Sequence, residues 1–224
     1  MPVFRTLLSA LVLAGLTTAQ QQVSFPTQDG WIIHGDLYGG GDRCVVLAHG
    51  GRFDKGSWQK QARVLVRAGF RALAIDFRGL GESSGGVQTL LTDERRRFDV
   101  LAAVHYLRKT GARTVSVIGA SMGGDYAAEA SESEPSEIDR VVLLAAGAYT
   151  PLTRTKARKL FIISRDDVMG EKTLRLPAIR EQYEKARGPK ELVLLEGSAH
   201  AQFIFQTDQG ERLMHEILRF LSEP

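Results

Sequence analysis

Short apolar runs alternate with amphipathic stretches along most of this chain, and that alternation limits the folds it can adopt. The apolar runs have the length of buried strands and lie at residues 45–50, 70–77, 114–121, 141–147, 159–164 and 191–197. Stretches with helical spacing of apolar residues lie between and after them, at residues 57–69, 92–111, 122–130, 172–188 and 208–223. This alternation predicts an α/β fold with a mostly parallel β-sheet covered by helices on both faces.

Capping residues and a proline predict where two of the helical stretches begin, end or kink. Ser57 is a good N-cap residue and Gly69 a good C-cap residue, so we expect one helix between them. In the stretch at residues 172–188, Pro177 is expected to kink or interrupt the helix, because proline lacks the backbone donor that an inner turn needs.

The N-terminus has the pattern of a targeting segment. Arg5 precedes an apolar run at residues 7–16, and small residues follow at 17–19. The run is too short for a helix to cross a bilayer, but it suits the apolar region of a secretory signal. We predict a cleaved signal peptide over residues 1–19, one domain over residues 20–224 and a secreted or periplasmic protein. An uncleaved membrane anchor is the alternative; no stable membrane span is expected after removal of the signal.

Composition argues against several classes of function. The 224 residues carry a net charge of only +3, and the one dense basic cluster, at residues 94–98, falls inside a helical pattern without interleaved aromatics. Nucleic-acid binding is therefore not expected. The single cysteine, Cys44, cannot form an internal disulfide and is interpreted as a small buried apolar residue. The five scattered histidines have no zinc-ligand spacing, and no metal or organic cofactor is expected.

The segment GASMGG places Ser121 between Gly119 and Gly123, directly after one apolar run and before a helical stretch. A sharp strand-to-helix turn would lift the serine above the sheet and crowd the backbone, so the flanking residues must be small. A flexible turn is the simpler interpretation of this pattern. The strand before it and the helix after it favour a nucleophile.

A serine nucleophile needs a base and a group that orients the base. His200 follows the last apolar run, at the sheet edge where a partner of Ser121 should lie. Asp166 and Asp167 follow the preceding run, and either could reach His200. The chain order Ser, Asp, His is the one expected on this fold.

The tetrahedral intermediate of acyl transfer needs amide donors. The first would be the amide of Met122, the residue after the nucleophile, and the second the amide of Gly51, in the loop after the run that ends at His49. His49 is interpreted as a residue that organises this loop by bonding backbone, and not as a base.

Five motifs occur in order between residues 31 and 221: LAHGG, AIDFRGLGESSG, GASMGG, ISRDDVM and GSAH. Together they resemble the landmarks of the α/β-hydrolases. In that family the acid usually follows a small residue at a spacing of three, which implies Asp167, with Asp166 as the fallback. Dienelactone hydrolases are of similar size but have cysteine at the position of Ser121, which argues against a dienelactone substrate. Asp76 and Arg78 are interpreted as a structural brace.

Members of this family often carry a cap domain, whereas the linker at residues 148–158 is too short to form one. We therefore expect an open site and a serine hydrolase that cleaves small or short-chain carboxylic esters through an acyl-enzyme. A thioesterase or small peptidase would use the same triad. A non-catalytic exported binding protein on a hydrolase fold is the alternative from another class.

Overall fold

The computed structural model describes residues 20–84, 95–170 and 172–223. The signal peptide predicted over residues 1–19 lies outside this range, as does the start of the helix expected at residue 92. The main sheet has eight strands, numbered in chain order together with two short strands described below: β1 (Gln20–Pro26), β2 (Ile32–Tyr38), β3 (Arg43–Ala48), β4 (Arg71–Ile75), β5 (Thr114–Ala120), β6 (Arg140–Leu144), β7 (Arg158–Ser164) and β10 (Lys190–Leu195).

The strands lie in the order β1-β2-β4-β3-β5-β6-β7-β10. β2 pairs antiparallel with β1 and with β4, and all other neighbouring strands are parallel. The predicted α/β fold with a mostly parallel sheet is thus confirmed. Because the chain leaves β3 for β4 on one side and later adds β5 on the other, the carboxyl ends of β3 and β5 flank the crevice where such sheets bind ligands.

The described helices follow the same alternation. The α-helices are α1 (Gln59–Arg67), α2 (Arg96–Lys109), α3 (Met122–Ser133), α4 (Leu176–Lys185) and α5 (Gly210–Ser222), and 3-10 helices form at Lys55–Trp58, Gly81–Ser84 and Ala201–Gln206. A hairpin of β8 (Val168–Met169) and β9 (Thr173–Leu174) precedes α4. The inner strands are almost wholly buried, as their near-continuous apolar sequences predict.

Several local predictions were wrong in detail. Ser57 is not a helix N-cap: it lies inside a 3-10 helix that Asp54 caps by accepting from the Gly56 amide, and α1 begins only at Gln59. Pro177 does not kink a helix. It occupies the first turn of α4, where its missing N–H would have had no partner within the helix, so the residue starts the element instead of interrupting it.

β1 was not predicted, because its sequence begins with three glutamines and only Val23 and Phe25 alternate with polar residues. Seven residue pairs with β2 hold it as an edge strand, so backbone pairing replaces the missing side-chain signal. At the other side of the site, residues 145–157 connect β6 to β7 without forming a helix or strand. In the described part of the chain, this connection therefore forms no cap, as its short length predicted.

Candidate active site

Ser121 lies at the turn between β5 and α3, with φ +49° and ψ −120°. A positive φ is strained for a residue with a side chain, and close backbone packing holds it there. A Cβ at Gly119 would lie 2.3 Å from the carbonyl oxygen of Gly123, and a Cβ at Gly123 would lie 2.3 Å from that of Ala48. The two glycines that flank the serine are therefore required by the close approach of three chain segments.

The three side chains predicted to act together converge at the carboxyl edge of the sheet. His200 Nε2 lies 2.8 Å from Ser121 Oγ, and His200 Nδ1 lies 2.7 Å from Asp167 Oδ2. Asp167 comes three residues after the end of β7, and His200 precedes the 3-10 helix that follows β10. A continuous hydrogen-bonded path thus runs from the serine hydroxyl through the imidazole to a carboxylate.

The two adjacent aspartates have different surroundings. The Asp167 side chain is 1% exposed, whereas Asp166 is exposed and its amide donates to the carbonyl of Gly197. The guanidinium of Arg175 lies beside Asp167, with Nε 3.5 Å from Oδ1, and the Arg175 amide donates to the Asp167 carbonyl. Asp167 is therefore the aspartate that contacts His200, and Arg175 offsets part of its buried charge.

The two amides predicted to bind the oxyanion are those of Gly51 and Met122. Gly51 and Met122 both line the cavity that contains the serine. Their amides donate to no acceptor within the described ranges. Met122 is the first residue of α3, where the helix dipole places partial positive charge. Both residues thus lie at the cavity of Ser121 with amides that the described part of the protein leaves without an acceptor.

His49 is completely buried and its ring is occupied by backbone groups. Nδ1 lies 2.8 Å from the Gly50 carbonyl oxygen, and Nε2 lies 3.4 Å from the Phe77 amide. Burial lowers the pKa of His49, so the ring is held neutral, with Nδ1 as the donor assigned from these partners. It organises the loop, as its sequence position suggested.

Gln202 is a residue that the sequence analysis missed. Its side chain is buried, its Oε1 accepts from the Gly50 amide at 2.8 Å, and its Nε2 donates to Ser57 Oγ at 2.8 Å. The segment that carries His200 is thereby tied to the loop that carries Gly51. No sequence signal marks this glutamine apart from its position two residues after His200.

The cavity at the site has a volume of about 530 Å³. It is lined by Gly51, Arg52, Ser121, Met122, Asp125, Tyr126, Glu129, Gly147, Tyr149, Met169, Arg175 and His200. Asp125 was also missed by the sequence analysis. Burial raises the pKa of its carboxyl to about 7, against the opposing effect of the hydrogen bond from the Gly147 amide. The cavity thus contains a carboxyl group, that of Asp125, whose pKa is near neutral pH.

The DFRG segment forms a buried ionic brace beside the site. Asp76 accepts from both the amide and the Nζ of Lys55, and Arg78 bonds Asp99 and Asp29. The hydrogen bond from Arg78 lowers the pKa of Asp29 to about 2, whereas burial raises the pKa of Asp99 to about 6. The side chains of Asp76 and Arg78 are completely buried, as a structural role requires.

Two negative findings apply to residues 20–84, 95–170 and 172–223. In these ranges, no three His, Cys, Asp or Glu side chains are grouped as metal ligands would be. The helices found there are also too short or too polar to cross a bilayer.

The fold and the arrangement around Ser121 are those of the α/β-hydrolases. More narrowly, the model of the Hydrolase_4 family, described as serine aminopeptidase, S33, matches residues 41–169, which is more than half of the chain. The chain belongs to this family, and it is a hydrolase.

Three known proteins illustrate the similarity. ABHD14B of Rattus norvegicus, provisionally named a protein-lysine deacylase, is 26% identical over 185 residues, which are 80% of this chain and 84% of the rat protein. The esterase Pf2001 of Pyrococcus furiosus has a TM-score of 0.77 at 22% identity, with 97% of each chain covered. A dienelactone hydrolase of Anabaena variabilis has a TM-score of 0.72 at 21% identity, with 90% of this chain and 94% of that chain covered. At such identities the two structures show the fold alone.

Proposed function

We propose that this hydrolase is a serine carboxylesterase that works through an acyl-enzyme. The observation that carries the proposal is the hydrogen-bonded path from Ser121 Oγ to His200 Nε2 at 2.8 Å and from His200 Nδ1 to Asp167 at 2.7 Å. These are the distances that proton transfer from a nucleophile to an oriented base requires.

In the proposed reaction, His200 Nε2 takes the proton of Ser121 as Oγ attacks the ester carbonyl. The carbonyl oxygen becomes an oxyanion, to which the amides of Gly51 and Met122 donate. When the intermediate collapses, the ester C–O bond breaks and the imidazolium protonates the leaving alcohol. Water, deprotonated by His200, then attacks the acyl-enzyme, and Ser121 recovers its proton as the acid leaves. Asp167 stabilises the imidazolium in both halves of the reaction.

The open cavity supports small or short-chain esters as substrates. The connection at residues 145–157 forms no cap, so little apolar surface is available to enclose a long acyl chain. We expect the highest kcat/KM in a para-nitrophenyl series between acetate and hexanoate. An optimum at dodecanoate or palmitate would contradict this expectation.

The test of the proposal is stoichiometric labelling by a fluorophosphonate, read by mass spectrometry, together with hydrolysis of para-nitrophenyl butyrate. Ser121→Ala should remove the label and lower kcat by at least about 10³-fold, while the thermal melting curve stays close to that of the wild type. Ser133→Ala, which removes an exposed hydroxyl of α3, is the matched control and should keep both. If the wild type takes no label and cleaves no ester, the non-catalytic binding protein becomes the better account.

Cleavage of amides or thioesters is the second candidate. It is favoured by the description of the family as serine aminopeptidase and by the name of the rat relative, a deacylase of protein lysine. The same nucleophile would serve, because the leaving group takes its proton from His200 in each case. Matched butyryl oxygen esters, thioesters and lysine amides distinguish the candidates, and a higher kcat/KM on the amide would displace the ester proposal.

We also propose that residues 1–19 are removed during export, which would give a secreted or periplasmic enzyme. Arg5, the apolar run at residues 7–16 and the small residues after it support this. N-terminal sequencing of the protein from its natural host should find Gln20 as the first residue.

A further inference from the structure

Four charged side chains line the cavity around Ser121, in addition to His200. Asp125 and Glu129 project from α3, one turn apart. Arg52 follows Gly51 in the loop after β3, and Arg175 lies immediately before α4. The two negative and two positive formal charges balance. What matters for a ligand is therefore which of these groups already have hydrogen-bond or ionic partners within the protein.

The two acidic groups are engaged. Asp125 Oδ1 accepts a hydrogen bond of 2.5 Å from the amide of Gly147. Glu129 has an interaction partner of its own within the protein. Both carboxyl groups therefore already have interactions within the protein before a substrate arrives.

The two arginines have fewer partners within the protein than the two acidic groups have. The side chain of Arg52 is exposed and donates to no acceptor within the described residues. Arg175 Nε lies 3.5 Å from Asp167 Oδ1, whereas the terminal nitrogens of Arg175 donate to no acceptor within the same ranges. Its charge nevertheless acts inside the cavity, because Arg175 and His200 oppose the rise of the Asp125 pKa. The groups that remain available to a ligand are the guanidinium of Arg52 and the terminal nitrogens of Arg175, whose Nε faces Asp167.

We propose that the natural ester carries a second, anionic group, such as a carboxylate, which Arg52 and Arg175 bind while Ser121 attacks the ester carbonyl. A guanidinium recognises a carboxylate by two parallel hydrogen bonds, and a cavity with low-dielectric walls strengthens the attraction. This inference rests on the proposed esterase function and narrows its substrate class. The hydrolytic step is unchanged: water is consumed, and the products are an acid and an alcohol, one of which keeps the anion.

The anionic group could belong to the acyl part or to the alcohol part, and two substrate pairs distinguish these sources. For the acyl part, the half-ester para-nitrophenyl adipate is compared with para-nitrophenyl hexanoate, which has the same chain length without the charge. For the alcohol part, the butyrate ester of para-hydroxybenzoate is compared with that of its methyl ester. Spontaneous hydrolysis is subtracted with Ser121→Ala as the blank.

In the wild type, the charged member of at least one pair should have a kcat/KM about tenfold higher or more, the size expected of a charge-assisted hydrogen bond. Added salt should reduce this ratio, because the arginines are partly exposed to solvent. Arg52→Gln and Arg175→Gln should each bring the ratio towards one, and Arg52→Glu should bring it below one.

Using a ratio cancels any general loss of activity in Arg175→Gln, where a partner of Asp167 is removed. The matched control is Arg165→Gln, at the residue directly after β7. The Arg165 side chain pairs with Glu196 and does not line the cavity. It should leave the ratio unchanged.

The inference is overturned if neutral esters are cleaved but neither charged ester is preferred, or if both glutamine variants keep the preference. Absence of ester cleavage together with absence of label on Ser121 is a different result, and it overturns the proposed function itself.

Discussion

Gly123 packs against Ala48 so closely that a Cβ on the glycine would lie 2.3 Å from the Ala48 carbonyl oxygen. Ala48 ends β3 and Gly123 lies in the first turn of α3, directly after Met122. The contact therefore sets how near the start of α3 approaches the loop after β3. These are the two segments that carry the amides of Met122 and Gly51.

Gly123→Ala should lower kcat/KM by about 10²-fold or more, because the added methyl group must push α3 away from β3 and so misplace Ser121 and the Met122 amide. Overpacking against backbone should also cost about 1–3 kcal/mol of stability. Gly40→Ala is the matched control, since a Cβ there meets nothing within 4 Å. Equal activity of the two variants would contradict the argument.

Asp167→Asn should reduce kcat by about 10³-fold or more, while Asp166→Asn leaves it within about twofold. An asparagine at 167 cannot offer a charge to the imidazolium and favours the wrong tautomer of His200. Asp166 is exposed, and the hydrogen bond found for it among the described residues runs from its backbone amide to the Gly197 carbonyl. Kinetics on para-nitrophenyl butyrate, with a melting curve for each variant, provide the measurement. The reverse order of effects would assign the acid to Asp166.

Gln202→Ala should lower both activity and stability. The substitution leaves the buried Gly50 amide without its acceptor, which costs about 1–3 kcal/mol. It also releases the loop that carries Gly51 from the segment of His200, so we expect kcat/KM to fall by about 10- to 100-fold. Gln206→Ala, at the exposed end of the same 3-10 helix, is the control and should behave as the wild type. A Gln202→Ala enzyme with unchanged kcat/KM would remove Gln202 from the site.

Asp125 should make the protein less stable as the pH rises towards neutral. Its pKa is about 7 in the folded protein, chiefly through burial, against an ordinary value of 3.8. The charge of Glu129 also raises the Asp125 pKa, whereas the charges of Arg175 and His200 lower it. Between these two values the folded protein holds the proton more tightly than the unfolded chain, so the contribution of Asp125 to the free energy of unfolding decreases up to about pH 7 and is constant above it.

Asp125→Asn removes this titration and can still accept a hydrogen bond from the Gly147 amide. Urea unfolding of both proteins between about pH 5 and pH 8 should show the stability of the wild type, relative to the variant, falling by about 2–3 kcal/mol. Parallel curves over that interval would show that Asp125 does not titrate there.

The fold and the order of the site residues could be predicted because they depend on local patterns. Buried parallel strands have continuous apolar sequences, and their carboxyl ends share one edge, so the residues after β5, β7 and β10 had to lie near each other. The glycines beside Ser121 are also a local signal. β1 was missed for the corresponding reason: its three leading glutamines carry no pattern, and only pairing with β2 makes it a strand.

The sequence by itself determined the parallel sheet, the turn at Ser121 and the succession of serine, aspartate and histidine along the chain. The family resemblance implied Asp167, but only the tertiary structure showed its contact with His200. Only the tertiary structure decided that Gln202 holds the Gly50 amide, and that Arg175, which lines the cavity, lies beside Asp167. The physical reason is distance along the chain. A strand or a turn forms from neighbouring residues, whereas these contacts depend on the direction of side chains carried by separate elements, which packing of the whole domain fixes.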